Sequence, residues 1–389
     1  MFFDVQIPVF PEVHCNERVI SDQHYLAPAL LHDLLETFCC AIGMLINFEK
    51  SLLLSHNADN EVLDHILAQF PAQMGVFEEG MKYLGYFIKA NCYRMVDWRW
   101  ILGKIDKRIK TWCNRYLSIG GRLVLIKSLL SSIPVYWLTL AQLSVGVIEA
   151  LRKLLVNYLW GDTDSHMKIH LVAWHKLFLP KKYGGWGIKH PFWYNVALCL
   201  KTGWRMLIGK GLWHDVIFTK YFPKYNLEQW IRQRLYAKGG GSYFWRSLCK
   251  HFHWISRGLA WCIGNGHRVQ IGLDPFTGSG DNYTLPIPFI TILHSKGIQY
   301  LHRILGTQDN TMNYWLSSRE LGLTREDANR WEGYKHTLNI YSIKLYDRED
   351  ELKWDYSPDG SISTKVLYDF MVKDQLKLYQ EWWHLFIWK

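Results

Sequence analysis

The chain has 389 residues, 49% of them hydrophobic, so it can bury a sizeable core and hold two or three domains. Its formal net charge is +10 and its pI is about 9.0, which favours partners that carry negative charge, such as phosphate groups. No C-x-x-C pair occurs among the eight cysteines, and no basic region precedes an apolar run at Met1–Val9. A standard zinc site and a secretory signal are therefore not expected, and we predict a nuclear or cytoplasmic protein.

The first quarter of the chain predicts short strands between helices. The predicted elements are two helices over residues 29–42 and 61–70, and three strands over residues 44–48, 52–54 and 83–88. Gly43 ends the first helix and Pro71 the second. Strands over 44–54 that lacked the rest of a palm sheet would expose their edges and promote aggregation.

From about residue 96 the pattern becomes helical. Residues 96–117 predict an amphipathic helix with Ile101, Ile105, Ile109 and Trp112 on one face, and the following glycine pair predicts its end. Further predicted helices cover residues 122–132, 145–160, 195–208 and 242–253. A serine, Ser242, is placed to cap the last of them.

Residues 128–148 contain no charged side chain and are long enough to span a bilayer. Pro134, Gln142 and four serines make this segment a poor membrane span, so we predict two buried helices that break near Pro134. After residue 261, glycines and prolines divide the chain into turns. The segment Pro358-Asp359-Gly360 predicts a hairpin.

Three segments in the first 134 residues carry a family resemblance. Residues 43–51 read GMLINFEKS, residues 81–85 read MKYLG, and residues 116–134 read YLSIGGRLVLIKSLLSSIP. In this order they resemble the end of the palm and the thumb of a non-LTR (LINE-type) retrotransposon reverse transcriptase. Later segments, over 157–161, 170–188, 261–275, 360–368 and 383–389, resemble the same family's downstream region up to its C-terminal zinc-binding segment.

The resemblance implies an α+β, mainly helical fold with a small palm-like β remnant, a helical thumb and a mixed C-terminal region. The implied segments are an unmatched N-terminus (1–28), a palm remnant (29–92), a thumb-like helical bundle (93–165), a post-thumb region (166–280) and a C-terminal region that leads into a truncated zinc-binding segment (281–389). It also marks polymerase-motif remnants at Gly43, Lys50, Tyr83, Leu84 and Gly85. Lys50 matches a lysine that the family places close to the incoming nucleotide.

One departure from the family decides the predicted function. Phosphoryl transfer by a polymerase needs carboxylates that hold metal ions, and the chain contains no two adjacent aspartates. We therefore assign no catalytic residue and expect no cofactor, with Mg²⁺ needed only if a complete polymerase is assembled. Although the chain resembles the RNA-directed DNA polymerase family, we expect it to be inactive alone and to bind nucleic acid without sequence preference.

Two alternatives stay open. A second chain could supply the missing half of a polymerase, or the chain could be an inactive relic or an interaction protein. The nucleic-acid partner could be an RNA or a DNA duplex, and no membrane partner is expected.

The predicted binding surface is a run of cations between Asp97 and Lys127. Eight cations face two acids in this run, which leaves a local balance of +6. Helix cations of this kind follow the phosphate backbone and bind without sequence choice. The alternative is an ordinary solvated helix face. The predicted nucleic-acid-binding residues are Lys104, Lys107, Arg108, Lys110, Arg115, Arg122 and Lys127.

Three other patterns predict structure rather than chemistry. The two acids of Asp162-Thr163-Asp164 lack a third ligand for a cation. The C-x-H-x-H spacing from Cys249 to His253 matches no common zinc motif. Gly264-Asn265-Gly266 predicts a tight turn and not a phosphate loop, because no helix with Lys-Ser or Lys-Thr follows it.

Overall fold

A computed structural model confirms the predicted mainly helical α+β class. It separates into two compact units, residues 1–100 and 101–389. The structure describes residues 2–3, 6–8, 32–43, 45–48, 51–55, 60–76, 79–83, 86–89, 93–111, 117–132, 135–139, 141–161, 169–222, 226–238, 241–276, 283–308 and 312–376.

The first unit combines short strands with two helices. Its strands are β1 (Phe2–Phe3), β2 (Gln6–Pro8), β3 (Leu45–Ile46), β4 (Leu52–Ser55), β5 (Gln73–Val76), β6 (Met81–Tyr83) and β7 (Tyr86–Ile88). Its helices are α1 (32–42) and α2 (Asn60–Gln69). Gly43 follows α1 with a φ of 67°, so it ends the helix as predicted.

A parallel sheet with the order β2-β4-β5 organises this unit. Parallel neighbours need a crossover connection, and α2 supplies it between β4 and β5. Leu53 from β4 packs with Ile66 and Phe70 in a small core. Strand β4 is paired on both sides, so it is not left alone as an exposed edge.

The predicted single strand over 83–88 is also wrong. Strands β6 and β7 form an antiparallel hairpin in which Tyr83 pairs with Tyr86. Leu84 and Gly85, which follow Tyr83 in the chain, lie outside the described residues. A period-two pattern does not distinguish one strand from two short ones that share the same alternation.

Helices dominate the following part of the chain. They are α3 (Arg99–Thr111), α4 (Ile119–Ser132), α5 (Val135–Leu138), α6 (Val145–Trp160), α7 (Trp174–Leu177), α8 (Pro191–Ile208), α9 (Leu212–Tyr221), α10 (Leu227–Arg232), α11 (Tyr243–His251) and α12 (His253–Ser256). The glycine pair Gly120-Gly121 lies in the first turn of α4, where we expected a break. Among the described residues, no helix is long and apolar enough to cross a membrane.

The buried amide of Asn195 connects α8 to the chain between α5 and α6. Its Oδ1 accepts the Leu143 N–H at 2.8 Å, and its Nδ2 donates to the carbonyls of Leu138 and Ala141 at 2.7 and 2.9 Å. A fully buried amide is tolerated because each of these groups has a partner. Helix α8 begins at Pro191, earlier than predicted, since proline suits the first helical position.

The C-terminal part mixes strands and helices around a second core. Its elements are β8 (Leu259–Cys262), α13 (Ile287–Ser295), β9 (Leu305–Gln308), β10 (Met312–Trp315), α14 (Arg325–Ile340), β11 (Glu351–Trp354) and α15 (Thr364–Leu376). The core contains fully buried Val269, Phe289, Trp331 and Leu338.

The predicted hairpin at residues 358–360 is wrong. Strand β11 pairs antiparallel with β8, about 90 residues earlier in the chain, with Trp354 opposite Leu259. The Asp359 carboxylate instead accepts hydrogen bonds from Ser361 in a turn that leads towards α15. The local turn signal was correct, but the strand partner comes from a distant segment.

Candidate nucleic-acid interface

Helix α3 separates apolar and cationic side chains. Ile101, Ile105 and Ile109 are only 4%, 1% and 7% exposed. Their spacing of four residues places them in one stripe along the helix. Lys104, Lys107, Arg108 and Lys110 are exposed, as the amphipathic pattern predicts.

Three of these cations have no counter-charge among the described residues. Lys110 pairs with Asp106 one turn earlier, with Nζ and Oδ2 2.7 Å apart. Lys104, Lys107 and Arg108 form no ion pair with any described residue. Their i, i+3, i+4 spacing places all three on neighbouring positions of the helix surface, where a phosphate backbone could reach them.

Arg122 occupies a different environment from the α3 cations. It is half-buried in α4, and its Nη1 donates to the Leu159 carbonyl at 3.3 Å, at the C-terminal end of α6. A Cβ at Gly161, whose φ is 74°, would lie 2.5 Å from the same Nη1. The guanidinium therefore satisfies a free carbonyl and complements the negative end of the helix dipole.

Lys127 is also partly buried. Burial lowers the pKa of its ammonium group, and the charge of Lys181 lowers it further. A Cβ at Gly187 would lie 3.6 Å from Lys127 Nζ. The structure thus places Lys127 beside the loop that follows α7, while Arg115 lies outside the described residues.

The polymerase-motif remnants are only partly visible. Gly43 ends α1 and Tyr83 ends β6, whereas Lys50, Leu84 and Gly85 lie outside the described residues. Their predicted relation to a polymerase site stays a prediction.

Several motif segments pack on one another. Trp160, at the end of α6, stacks on His170 with ring centroids 6.0 Å apart and contacts Trp186 at the same distance. Gly185 leaves no room for a side chain, since a Cβ there would lie 2.1 Å from the Leu179 carbonyl oxygen. Together with the bond from Arg122 to the end of α6, these contacts give the residues of the resembling segments a packing role.

The Gly264-Asn265-Gly266 turn binds an anion that belongs to the chain itself. The buried Asp350 carboxylate is 1% exposed. It accepts the backbone N–H groups of Gly264, Gly266 and Arg268 at 2.7, 2.9 and 2.9 Å. Converging N–H groups make a concave anion site, and here a carboxylate fills it.

The Asp-Pro segment is structural as well. Asp274 is 4% exposed and pairs with Arg232 at 2.6 Å, with its carboxylate also accepting the Gln270 N–H at 2.8 Å. A buried carboxylate is tolerated when a cation and hydrogen bonds match it in this way.

The C-x-H-x-H segment shows no metal geometry. Cys249 and His251 are buried while His253 is exposed. Gln142 Nε2 lies 2.8 Å from His251 Nε2, and burial lowers the pKa of His251 to about 4, so the neutral ring accepts the amide N–H. Among the described residues, no group of three or more His, Cys, Asp or Glu side chains could hold a metal ion. Asp162 and Asp164 lie outside those residues.

Sequence reasoning missed a second cationic region. Lys181, Lys182 and Lys189 come together with Lys365, which lies about 180 residues later in the chain. No local run of charge marks this group, because α15 brings Lys365 to it only in the folded chain.

Comparison with known proteins gives two relatives from Arabidopsis thaliana. The first, "Putative ribonuclease H protein At1g65750", is 28% identical over 285 residues, which cover 71% of this chain and 43% of that protein. The second, "Uncharacterized mitochondrial protein AtMg00310", is 30% identical over 146 residues, which cover 37% of this chain and 91% of that protein.

The chain belongs to the same family as this mitochondrial protein. It spans less than half the length of the ribonuclease H relative. No family model matches the chain. The two relatives agree with the coarse prediction of a protein related to transposable elements, and neither name mentions a reverse transcriptase.

Proposed function

We propose that this chain derives from a retrotransposon reverse transcriptase and binds nucleic acid, without sequence preference and without catalysis, through the exposed face of α3. The observation that carries the proposal is the pairing of a buried isoleucine stripe with three exposed cations, Lys104, Lys107 and Arg108, which form no ion pair with a described residue. Burial of one stripe fixes the helix and keeps the cations in water, where they can exchange counterions for phosphates.

The proposal is limited to α3 because Arg122 and Lys127 have different surroundings. Arg122 donates to the end of α6, and Lys127 is partly buried near Lys181. The family motifs in their expected order support the retrotransposon origin. The ribonuclease H relative supports a nucleic-acid context, because its name refers to an enzyme that acts on nucleic acid.

The lack of catalysis follows from the metal chemistry of polymerases. Two metal ions need carboxylates that converge on them, and the chain has no two adjacent aspartates. Without these metal ligands, there is no phosphoryl transfer for Lys50 to assist. Binding is therefore the activity that we propose the chain retains.

A charge-reversal series tests this proposal. The full chain is titrated against a fluorescent 20-bp DNA duplex and the matching RNA–DNA hybrid, with anisotropy as the readout from about 50 to 200 mM salt. The triple variant Lys104→Glu/Lys107→Glu/Arg108→Glu should bind at least tenfold more weakly at low salt. Its slope of log affinity against log salt should fall by about 2.7, since each lost phosphate contact removes about 0.9.

Helix α8 offers a matched control. Lys201→Glu/Arg205→Glu/Lys210→Glu makes the same charge change at three exposed positions at and just beyond its C-terminal half. This variant should lose affinity only slightly, through net charge. Equal losses in both triple variants, or no loss in the α3 variant, would rule out a specific role for α3.

A further inference from the structure

A cavity of about 780 Å³ lies between the segment 178–189 and the N-terminal turn of α15. Four lysines line it, and Asp369 is the one acid among the described residues that do so. We call this cavity the lysine groove and define it by Lys181, Lys182, Lys189 and Lys365. Four cations around one concave surface concentrate positive potential there.

The backbone of the 178–189 segment sets the positions of three of the lysines. Gly187 N–H donates to the Leu179 carbonyl at 2.9 Å, and Gly185 N–H donates to the Pro180 carbonyl at 3.3 Å. The chain therefore doubles back on itself. As a result, Lys181 and Lys189 border the same cavity although they are eight positions apart in the sequence. Gly187 has a φ of 69°, a conformation that other residues adopt only with strain.

Among the described residues, the charges of Lys182, Lys189 and Lys365 are largely unmatched. Lys182 Nζ lies 3.7 Å from Asp369, and both side chains are more than a third exposed, so the pair is weak. Lys189 Nζ lies 4.0 Å from the centre of the Tyr194 ring. Neither Lys189 nor Lys365 forms an ion pair with a described residue.

The position of Lys365 opposes helix stability. It lies in the first turn of α15, a turn without an acidic residue. The positive end of a helix dipole favours carboxylates there and disfavours cations. A lysine at this position adds to the positive potential of the helix end, which suits an external anion rather than the folded chain alone.

The lining of the groove indicates which part of a nucleic acid it would contact. Tyr194 and Tyr368 line it, but each is only 7% exposed. The Tyr368 hydroxyl accepts the His190 N–H at 2.8 Å. Bases stack on exposed ring faces, and these buried rings offer none, so the lysines are the groups that we expect to hold a nucleic acid here.

We propose that the lysine groove binds the phosphodiester backbone of nucleic acid, as a contact separate from α3. This inference rests on the proposed function for its ligand, but it uses different residues. A contact of lysines with phosphates alone carries no base specificity. The groove would therefore extend the bound length and leave sequence preference unchanged.

Neutral substitutions in the full chain test the inference. Lys181→Gln/Lys189→Gln/Lys365→Gln is compared with Lys201→Gln/Arg205→Gln/Lys210→Gln by anisotropy, on 40-nucleotide single-stranded RNA and on a 40-bp DNA duplex. The groove variant should reduce the salt slope by about 2 on single strands and by about 2.7 on duplex, while the control leaves the slope unchanged. A reduction on either ligand supports the groove.

A second measurement uses unmodified protein, so it does not depend on whether the variants fold. Unmodified protein is acetylated with and without the 40-bp duplex, and each lysine is quantified by mass spectrometry. Lys189 and Lys365 should be protected at least threefold, and Lys201 should not be. The inference would be overturned if the duplex changed the acetylation of Lys189 and Lys365 no more than that of Lys201. It would also be overturned if the groove variant kept an unchanged salt slope on both ligands.

The two proposals fail in different ways. If only the α3 charge reversals weaken binding, the groove inference is wrong and the proposed function stands. If only the groove substitutions do so, nucleic-acid binding stands but its assignment to α3 is wrong. If the unmodified chain binds neither ligand at 50 mM salt, both proposals are wrong.

Discussion

Helices α3 and α4 both carry cations in a segment that resembles a polymerase thumb, but they use them differently. Lys104, Lys107 and Arg108 on α3 are exposed and have no partner among the described residues. Arg122 on α4 is half-buried and donates to the Leu159 carbonyl at the end of α6. Within one run of charge in the sequence, the cations of α3 therefore stay solvated, whereas Arg122 of α4 caps another helix.

The loop around Gly264 shows the same internal use of charge for an acidic side chain, that of Asp350. The N–H groups of Gly264, Gly266 and Arg268 bind the Asp350 carboxylate, so a feature that could bind an external anion is already filled. The Asp350 charge, which the fold uses internally, is matched by three hydrogen bonds of 2.7 to 2.9 Å. Charges available to a ligand are those that the fold leaves solvated.

The largest expected effect tests the internal use of charge at Asp350. Asp350→Ala leaves three buried or partly buried N–H groups without their acceptor, and each unsatisfied group costs about 1–3 kcal/mol. We expect the free energy of unfolding to fall by about 4 kcal/mol, measured by urea denaturation. Asp347→Ala, at an exposed position nearby, should change it by less than about 0.5 kcal/mol. If both variants lost similarly small amounts of unfolding free energy, the Asp350 carboxylate would not be needed for the stability of the fold.

As the pH falls, we expect the free energy of unfolding to decrease before the affinity of α3 for nucleic acid does. Burial lowers the pKa of His190 and of His251 to about 4, below the ordinary value of about 6.5. Between these values the unfolded chain binds more protons, so stability that is fully present above pH 6.5 is lost as pH falls towards 4. We expect a loss on the order of 2–3 kcal/mol between pH 7 and pH 5.5 for the two residues together.

Urea denaturation across that pH range measures this loss. His253 and His302, whose pKa values burial also lowers, should add smaller losses of the same sign. His190→Asn/His251→Asn should remove most of the pH dependence in this window, and an unchanged dependence would contradict the assignment. Helix α3 contains no histidine, so the affinity of the folded protein for duplex should change little.

The smallest expected effect compares two arginines directly. Arg122→Met keeps the aliphatic stem but removes the cation from the end of α6, and should lower the free energy of unfolding by about 1–2 kcal/mol. Arg108→Met should lower it by less than about 0.5 kcal/mol. Denaturation and salt-dependent anisotropy are measured on both variants.

The binding readout should show the opposite order. Arg108→Met should reduce the salt slope by about 0.9, and Arg122→Met should leave it unchanged. A reduced slope for Arg122→Met would mean that its guanidinium also reaches the ligand, and the distinction between the two helices would fail.

Local pattern predicted much of the helical structure. The limits of α6, Val145–Trp160, agree with the prediction, because its apolar period is clear and Gly161 adopts the left-handed conformation that ends helices. The buried face of α3 was also predicted residue by residue at Ile101, Ile105 and Ile109. Strand pairing was predicted poorly, since β11 finds its partner in β8 through contacts that no local window contains.

The amino-acid sequence alone determined where the helices form, which face of α3 is apolar, and that the chain is strongly cationic, because these properties depend on residues within a few turns of each other. The tertiary structure decided which charges remain available. It directs Arg122 to the end of α6, places Asp350 among the N–H groups of a distant loop, and brings Lys365 beside Lys181 and Lys189. These outcomes depend on contacts between residues far apart in the chain, which form only when the chain folds.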